Sequence, residues 1–166
     1  GQQQALAFAT AYADNFDKAL ETGRCALFVG LPGTGKTHLA AGIGLRLMRR
    51  DSRRVLFTTV MRAVRSIKET WTRGSELTES EAIEKLVAPD LLILDEVGVQ
   101  FGSETEKLML FDVLNERYER RRPTLLISNL DLEGVRAYLG ERIFDRLRED
   151  GGEAVAFDWS SHRGQA

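Results

Sequence analysis

The sequence predicts an α/β fold in which a five-stranded parallel sheet is sandwiched by helices, and three observations predict it. Short apolar runs of strand length alternate with longer segments of helical periodicity. A glycine-rich loop stands where the first apolar run gives way to a helix. An acidic pair closes the third run, at the sheet edge where open parallel sheets carry their ligands.

The elements follow in order. Leu6, Ala9, Ala13, Phe16 and Leu20 form one stripe of an N-terminal helix that ends near Gly23. The five strand runs are CALFVG, RVLFTTV, LLILD, TLLISN and EAVAFDW. Helices are expected over 36–50, 60–72, 79–87, 103–121 and 131–149, the last broken near Gly140. Pro123 stops the helix before it, and Arg120, Arg121 and Arg122 would sit at that helix's negative end. Dipole compensation is the reading of that triplet, with contact to DNA as its rival.

Composition sets limits. The 166 residues make one domain, long enough for a sizeable core. Hydrophobic residues at 43% and charged residues at 29% are ordinary for a globular protein. A net charge of −2 excludes a protein that is basic all over, so any nucleic-acid contact runs through a local patch. The single cysteine, Cys25, lies in an apolar run and reads as a buried thiol in a reducing compartment. No apolar run approaches the roughly 18 residues of a membrane span, and no signal peptide is visible. A cytoplasmic protein is expected. The chain opens at GQQQ directly on a helical pattern, which suggests a fragment of a longer protein.

The strongest chemical signal is GLPGTGKTH, covering Gly30, Leu31, Pro32, Gly33, Thr34, Gly35, Lys36, Thr37 and His38. It fits the phosphate-binding loop pattern, with a strand before it and a helix after. Glycines let backbone N–H groups curl around phosphate oxygens, and the helix N-terminus adds its dipole. Lys36 should reach the β- and γ-phosphates, and Thr37 should place its hydroxyl on Mg²⁺. ATP and Mg²⁺ are therefore the expected cofactors. In LLILDEV, Asp95 suits the metal, directly or through water. Glu96, one residue on, points elsewhere and is available to take a proton from an attacking water. Asn129, ending TLLISN, either orients that water and senses the γ-phosphate or simply starts a turn.

Two helical segments carry basic residues. Val60, Val64, Ile67 and Trp71 make an apolar stripe, with Arg62, Arg65 and Lys68 on another face; a solvated amphipathic helix accounts for that. In LGERIFDRLRED, Leu139, Ile143 and Leu147 stack at every fourth position. This sets Arg142 and Arg146 one turn apart, a like-charge pair costing about 0.2–0.5 kcal/mol. Salt bridges to Asp145 and Glu149 would hide the cost. Alternatively, the arginines are held for an anion.

Taken together, these segments resemble the AAA+ ATPases and, more narrowly, the DnaC/DnaI-type loaders of replicative helicases in the DnaC/IstB-like family. GLPGTGKTHLAA, LLILDEVGVQ, SETEK, RRPTLLISN, LGERIFDRLR and FDWSSHR look like that family's segments in that family's order, from about Ala5 to Arg163. The resemblance implies an AAA+ core without an evident C-terminal lid domain. It implies ATP-fuelled escort of a hexameric helicase onto single-stranded DNA and self-assembly into a ring or spiral. It places DNA contacts at Trp71, Ser103 and Thr105, where a ring beside Arg62, Arg65 and Lys68 could stack on bases. It also matches Arg146 to the arginine finger, with Arg142 as second choice. Loaders of this type grip the helicase through a separate N-terminal domain, to which nothing in residues 1–166 corresponds. The rivals are an IstB-type transposition helper, a nucleotide-gated DNA clamp with negligible turnover, and a small-molecule kinase. No arginine-rich acceptor lid supports the kinase.

Overall fold

The computed structural model describes residues 1–161. His162 and Arg163, the end of the FDWSSHR segment, lie outside the described residues. The strands are β1 (Ala26–Gly30), β2 (Val55–Thr59), β3 (Leu91–Val97), β4 (Thr124–Ser128) and β5 (Glu153–Phe157). They form one sheet in the order β2-β3-β4-β1-β5, every pairing parallel. Such a sheet is covered on both faces, which is why its strands read as continuous apolar runs.

The helices are α1 (Gln2–Asp14), α2 (Phe16–Thr22), α3 (Lys36–Asp51), α4 (Val60–Lys68), α5 (Glu79–Val87), α6 (Glu104–Glu119), α7 (Leu132–Leu139) and α8 (Glu141–Arg148). Side-chain alternation along the strands sorts them into layers. Leu91 and Ile93 of β3 join Phe28, Leu125 and Ile127 under α1, α2 and α3. Leu92 and Leu94 join Leu27, Val29 and Leu126 under α4 to α8. The fold class and the break at Gly140 agree with expectation, and Cys25 is buried.

Several local expectations need correcting. The N-terminal helix is two helices, because Asn15 turns its side chain back to donate to the Ala11 carbonyl at 2.8 Å. Leu6 is 59% exposed; the buried stripe runs instead through Ala5, Ala9, Tyr12, Ala13, Phe16 and Ala19. Tyr12 tolerates that position because its hydroxyl donates to the Arg24 carbonyl at 2.8 Å. The helix expected over 60–72 ends at Lys68, and a single 3₁₀ turn over Glu69–Trp71 carries Trp71 out of the stripe to 52% exposure. Ala63 fills the stripe in its place. Of the arginine triplet, Arg120 pairs with Glu84 and Glu116, and Arg122 with Asp90. Those acids, more than the helix dipole, account for the two charges.

A charged residue holds together one end of the sheet. Arg117 of α6 is fully buried, one helical repeat beyond Leu110 on the same stripe. Its guanidinium donates to the carbonyls of Leu86, Val87, Pro89, Asp90 and Pro123 and to the Thr124 hydroxyl, at 2.7–3.4 Å. The planar fork thus closes the C-terminus of α5 and the entries to β3 and β4. Burial pulls its pKa down to about 10, so it stays cationic at neutral pH. Arg117→Ala should cost about 3–5 kcal/mol, since it leaves several buried acceptors unsatisfied and opens a cavity. For a domain of this size that is a melting-temperature loss of about 10 °C. Calorimetry checks it; Arg117→Lys should recover little, and a melting point unchanged in either variant would remove the staple role.

Candidate nucleotide site

The loop between β1 and α3 has the shape that its glycines permit. Gly35 stands at φ +93° as the residue before α3, a conformation that L side chains rarely adopt. Gly30 lies so close to β5 that a Cβ there would run into the Phe157 carbonyl. Lys36, the first residue of α3, is buried and folds back into the loop. Its ammonium donates to the carbonyls of Gly30 at 2.7 Å and Leu31 at 2.6 Å, and lies 3.3 Å from the Thr34 hydroxyl. That hydroxyl in turn donates to the Leu31 carbonyl at 2.9 Å. A residue that sequence reasoning missed steadies the loop from outside: Trp159 donates its indole N–H to the Thr34 carbonyl at 3.0 Å. Its signal was available, because β5 pairs with β1 and delivers the FDW end to the loop's own edge.

The acidic pair comes from β3. The Thr37 hydroxyl donates to Asp95 Oδ2 at 2.8 Å, joining α3 to the strand. Glu96 sits at φ +57°, and the register with β4 shifts between Leu94 and Val97. A non-glycine residue held there costs on the order of 1–3 kcal/mol, and such strain clusters at functional sites. The bulge turns Glu96 out of the strand's alternation. Its N–H donates to Asp95 Oδ1 at 2.7 Å, so the turn also orients Asp95. A cleft of about 680 Å³ is lined by Pro32, Gly33, Thr34, Gly35, Lys36, Thr37 and His38 with Asp95, Glu96 and Asn129. That is the size of a small-ligand site. Gly30 and Leu31 do not line it; their carbonyls face the lysine.

The Thr37 and Asp95 oxygens form a hard donor pair, which fits Mg²⁺ held by one or two protein ligands plus phosphates and water. Among the described residues no cluster of three or more His, Cys, Asp or Glu is placed to hold a metal without such help.

The other candidates lie elsewhere. Arg62 and Arg65 are exposed on α4. Lys68 belongs to that face in sequence but pairs at 2.6 Å with Glu106, which also accepts from the Gly102 N–H at 2.8 Å. Lys68 first, then the Gly102 amide, holds the Glu106 carboxyl below its usual range. A contact between Lys68 and a DNA phosphate therefore has to displace a carboxylate. The Ser103 hydroxyl accepts from the Glu106 N–H at 3.3 Å as the cap of α6, and Thr105 is exposed beside it. Trp71 donates to Glu79 at 2.6 Å and keeps its ring exposed.

Arg146, on α8, sits among Cys25, Asn115, Tyr118 and Thr124, where β1 and β4 begin. The nucleotide loop lies at the other end of β1, five residues or roughly 16 Å away, and the helix it enters, α3, packs on the opposite face of the sheet from α8. The acids Asp145 and Glu149 do not pair with it; it donates to Asn115 Oδ1 at 2.8 Å and lies 4.5 Å over the Tyr118 ring. Arg142 is exposed and, among the described residues, makes no ion pair.

A parallel α/β sheet with a phosphate loop, a threonine–aspartate pair and a strained glutamate at one edge defines a P-loop nucleotide-binding protein with the AAA+ fold. Residues 19–157 match the family model of the IstB-like ATP binding protein, so the chain belongs to that family. It is similar to the replicative helicase loader DnaC of Escherichia coli (strain K12), 37% identical over 163 residues, 98% of this chain and 64% of that protein. The loader of the same name from Buchnera aphidicola subsp. Baizongia pistaciae (strain Bp) is 36% identical over 163 residues, 98% of this chain and 65% of that protein. The chain thus spans a little under two thirds of these relatives. A crystal structure of the DnaC helicase loader superposes with a TM-score of 0.81 at 23% identity, over 93% of this chain and 89% of the other. No described helix is long and apolar enough to cross a membrane.

Proposed function

We propose that this chain is the ATP-hydrolysing domain of a loader that places a replicative DNA helicase onto single-stranded DNA. The observation that carries the reading is the cleft in which Lys36, Thr37, Asp95, Glu96 and Asn129 meet, in a chain whose curated relatives are named helicase loaders. ATP occupies the cleft with its phosphates in the loop. Lys36 neutralises charge on the β- and γ-phosphates, exchanging its loop carbonyls for them in part. Thr37 and Asp95 would hold Mg²⁺, which would supply positive charge against that of the phosphates. Glu96 takes the proton from the attacking water, and Asn129 holds that water in line.

Charge that develops on the γ-phosphate needs a further cation, and Arg146 of a neighbouring copy supplies it. Its place at the far edge of its own sheet supports delivery in trans. Assembly into a ring or spiral thus completes the site. Contact with the helicase runs through an N-terminal domain outside residues 1–166.

Single-stranded DNA binds weakly, with strong salt dependence, at Trp71, Ser103, Thr105, Arg62 and Arg65. Steady-state hydrolysis with and without single-stranded DNA tests the whole reading. ATP binding without measurable turnover in either case would leave a nucleotide-gated clamp in its place. Trp71→Ala should lower DNA affinity by about 1–3 kcal/mol per base lost from the stack and leave ATP binding intact. A variant that binds DNA normally would return Trp71 to a packing role.

A further inference from the structure

Among the described residues none of the three α8 arginines, Arg142, Arg146 and Arg148, forms an ion pair, and of these Arg146 is the one that side chains of α6 hold. Arg120, Arg122 and Arg136 all pair with carboxylates. Arg146 has Asp145, Glu149 and Asp150 within four residues, yet forms no ion pair among the described residues. Both partners of its guanidinium are neutral: the Asn115 amide oxygen at 2.8 Å and the face of Tyr118 at 4.5 Å. Glu149 is engaged elsewhere, because it accepts a hydrogen bond from the Tyr118 hydroxyl. One side of α6 therefore does two things. It fixes the orientation of a planar cation, and it engages Glu149, which lies three residues from that cation.

We propose that Asn115 and Tyr118 are positioning residues for Arg146, holding its guanidinium oriented and without a competing carboxylate for the γ-phosphate bound by a neighbouring copy. The proposal rests on the reading of Arg146 as the residue supplied in trans. An arginine on an exposed helix samples many rotamers, and a cation that must meet a phosphate fork to fork loses turnover with each one. A carboxylate partner would orient it equally well. It would also compete with the phosphate and have to be displaced at every assembly step. An amide oxygen and a ring face accept the same geometry without that competition. The like-charge arrangement of Arg142 and Arg146 fits the same design, since among the described residues neither forms an ion pair.

Asn115→Asp separates charge from shape. It keeps the volume and the acceptor oxygen and adds a carboxylate against Arg146. Turnover of the homogeneous variant should fall about 10-fold to 10²-fold, the order of one charge-assisted hydrogen bond that the phosphate must displace, with ATP affinity unchanged. Mixing distinguishes a lost donor from a damaged fold. Asn115→Asp subunits retain an intact site, so Glu96→Gln subunits, which retain an intact finger, should restore partial activity. Arg146→Ala subunits should not, because neither member of that pair can then donate. Wild-type turnover by Asn115→Asp, rescue by Arg146→Ala, or failure of rescue by Glu96→Gln would each overturn the positioning role. The control is the pair Arg146→Ala with Glu96→Gln. If that pair regains no activity at any ratio while both variants bind ATP, the trans reading of Arg146 itself is wrong. If it regains activity and Asn115→Asp behaves as wild type, only the positioning proposal fails.

Discussion

Lys36→Ala should abolish nucleotide binding, whereas Glu96→Gln should bind ATP normally and stop hydrolysing it. The two residues line one cleft but have different parts in the proposed reaction. Lys36 is the buried cation of the loop, already held by two carbonyls and the Thr34 hydroxyl. Charge-assisted hydrogen bonds are worth about 1.5–3 kcal/mol each, so losing two of them to phosphate weakens binding by about 10²-fold or more. Alanine also leaves the Gly30 and Leu31 carbonyls without the ammonium that holds the loop closed. Among the described residues Glu96 forms no hydrogen bond or ion pair with the loop, and glutamine has the same shape for its backbone turn. What glutamine lacks is basicity. Removing a positioned general base costs about 10²–10⁴ in rate. Equilibrium binding of a fluorescent ATP analogue beside single-turnover hydrolysis separates the two effects. Equal loss of affinity in both variants would take the proton-transfer role away from Glu96.

Arg146→Ala should produce the larger fall in turnover, by about 10³–10⁵, the range for arginines supplied to P-loop sites from outside. Affinity for ATP should barely change, because the side chain lies at the opposite edge of the sheet from its own cleft. Thermal stability should change little, since the guanidinium holds one amide and one ring face rather than a network. A melting-temperature drop comparable to that of Arg117→Ala would mark Arg146 as a packing residue. Parallel measurement of kcat, ATP affinity and melting temperature settles which role holds.

Sequence reasoning worked where structure and chemistry depend on neighbouring residues. The phosphate loop spans eight consecutive positions, and LLILDEV places an acid at the sheet edge through strand length alone. The order of the runs was enough to expect a parallel sheet, though not the order β2-β3-β4-β1-β5, which no single segment encodes. The failures are tertiary. Nothing in its own helix marks Arg117, which is buried only because α5 and the start of β4 bring its six acceptors together. Lys68 reads as one of three basic residues until Glu106, 38 positions on, takes it. Leu6 lost its place in the core to Tyr12, whose hydroxyl reaches a carbonyl that periodicity cannot see. The left-handed turn at Glu96 was equally invisible, because the local sequence there shows only an extended apolar run and two acids.

The central claim is that one chain holds an incomplete catalytic site and that a second copy completes it. Specific activity measured against protein concentration, at saturating ATP and Mg²⁺, tests it most directly. Turnover per subunit should be slow in dilute solution, rise steeply as copies assemble, and level off once every cleft has a neighbour. Turnover per subunit that stays constant from the monomeric to the fully assembled range would contradict the account.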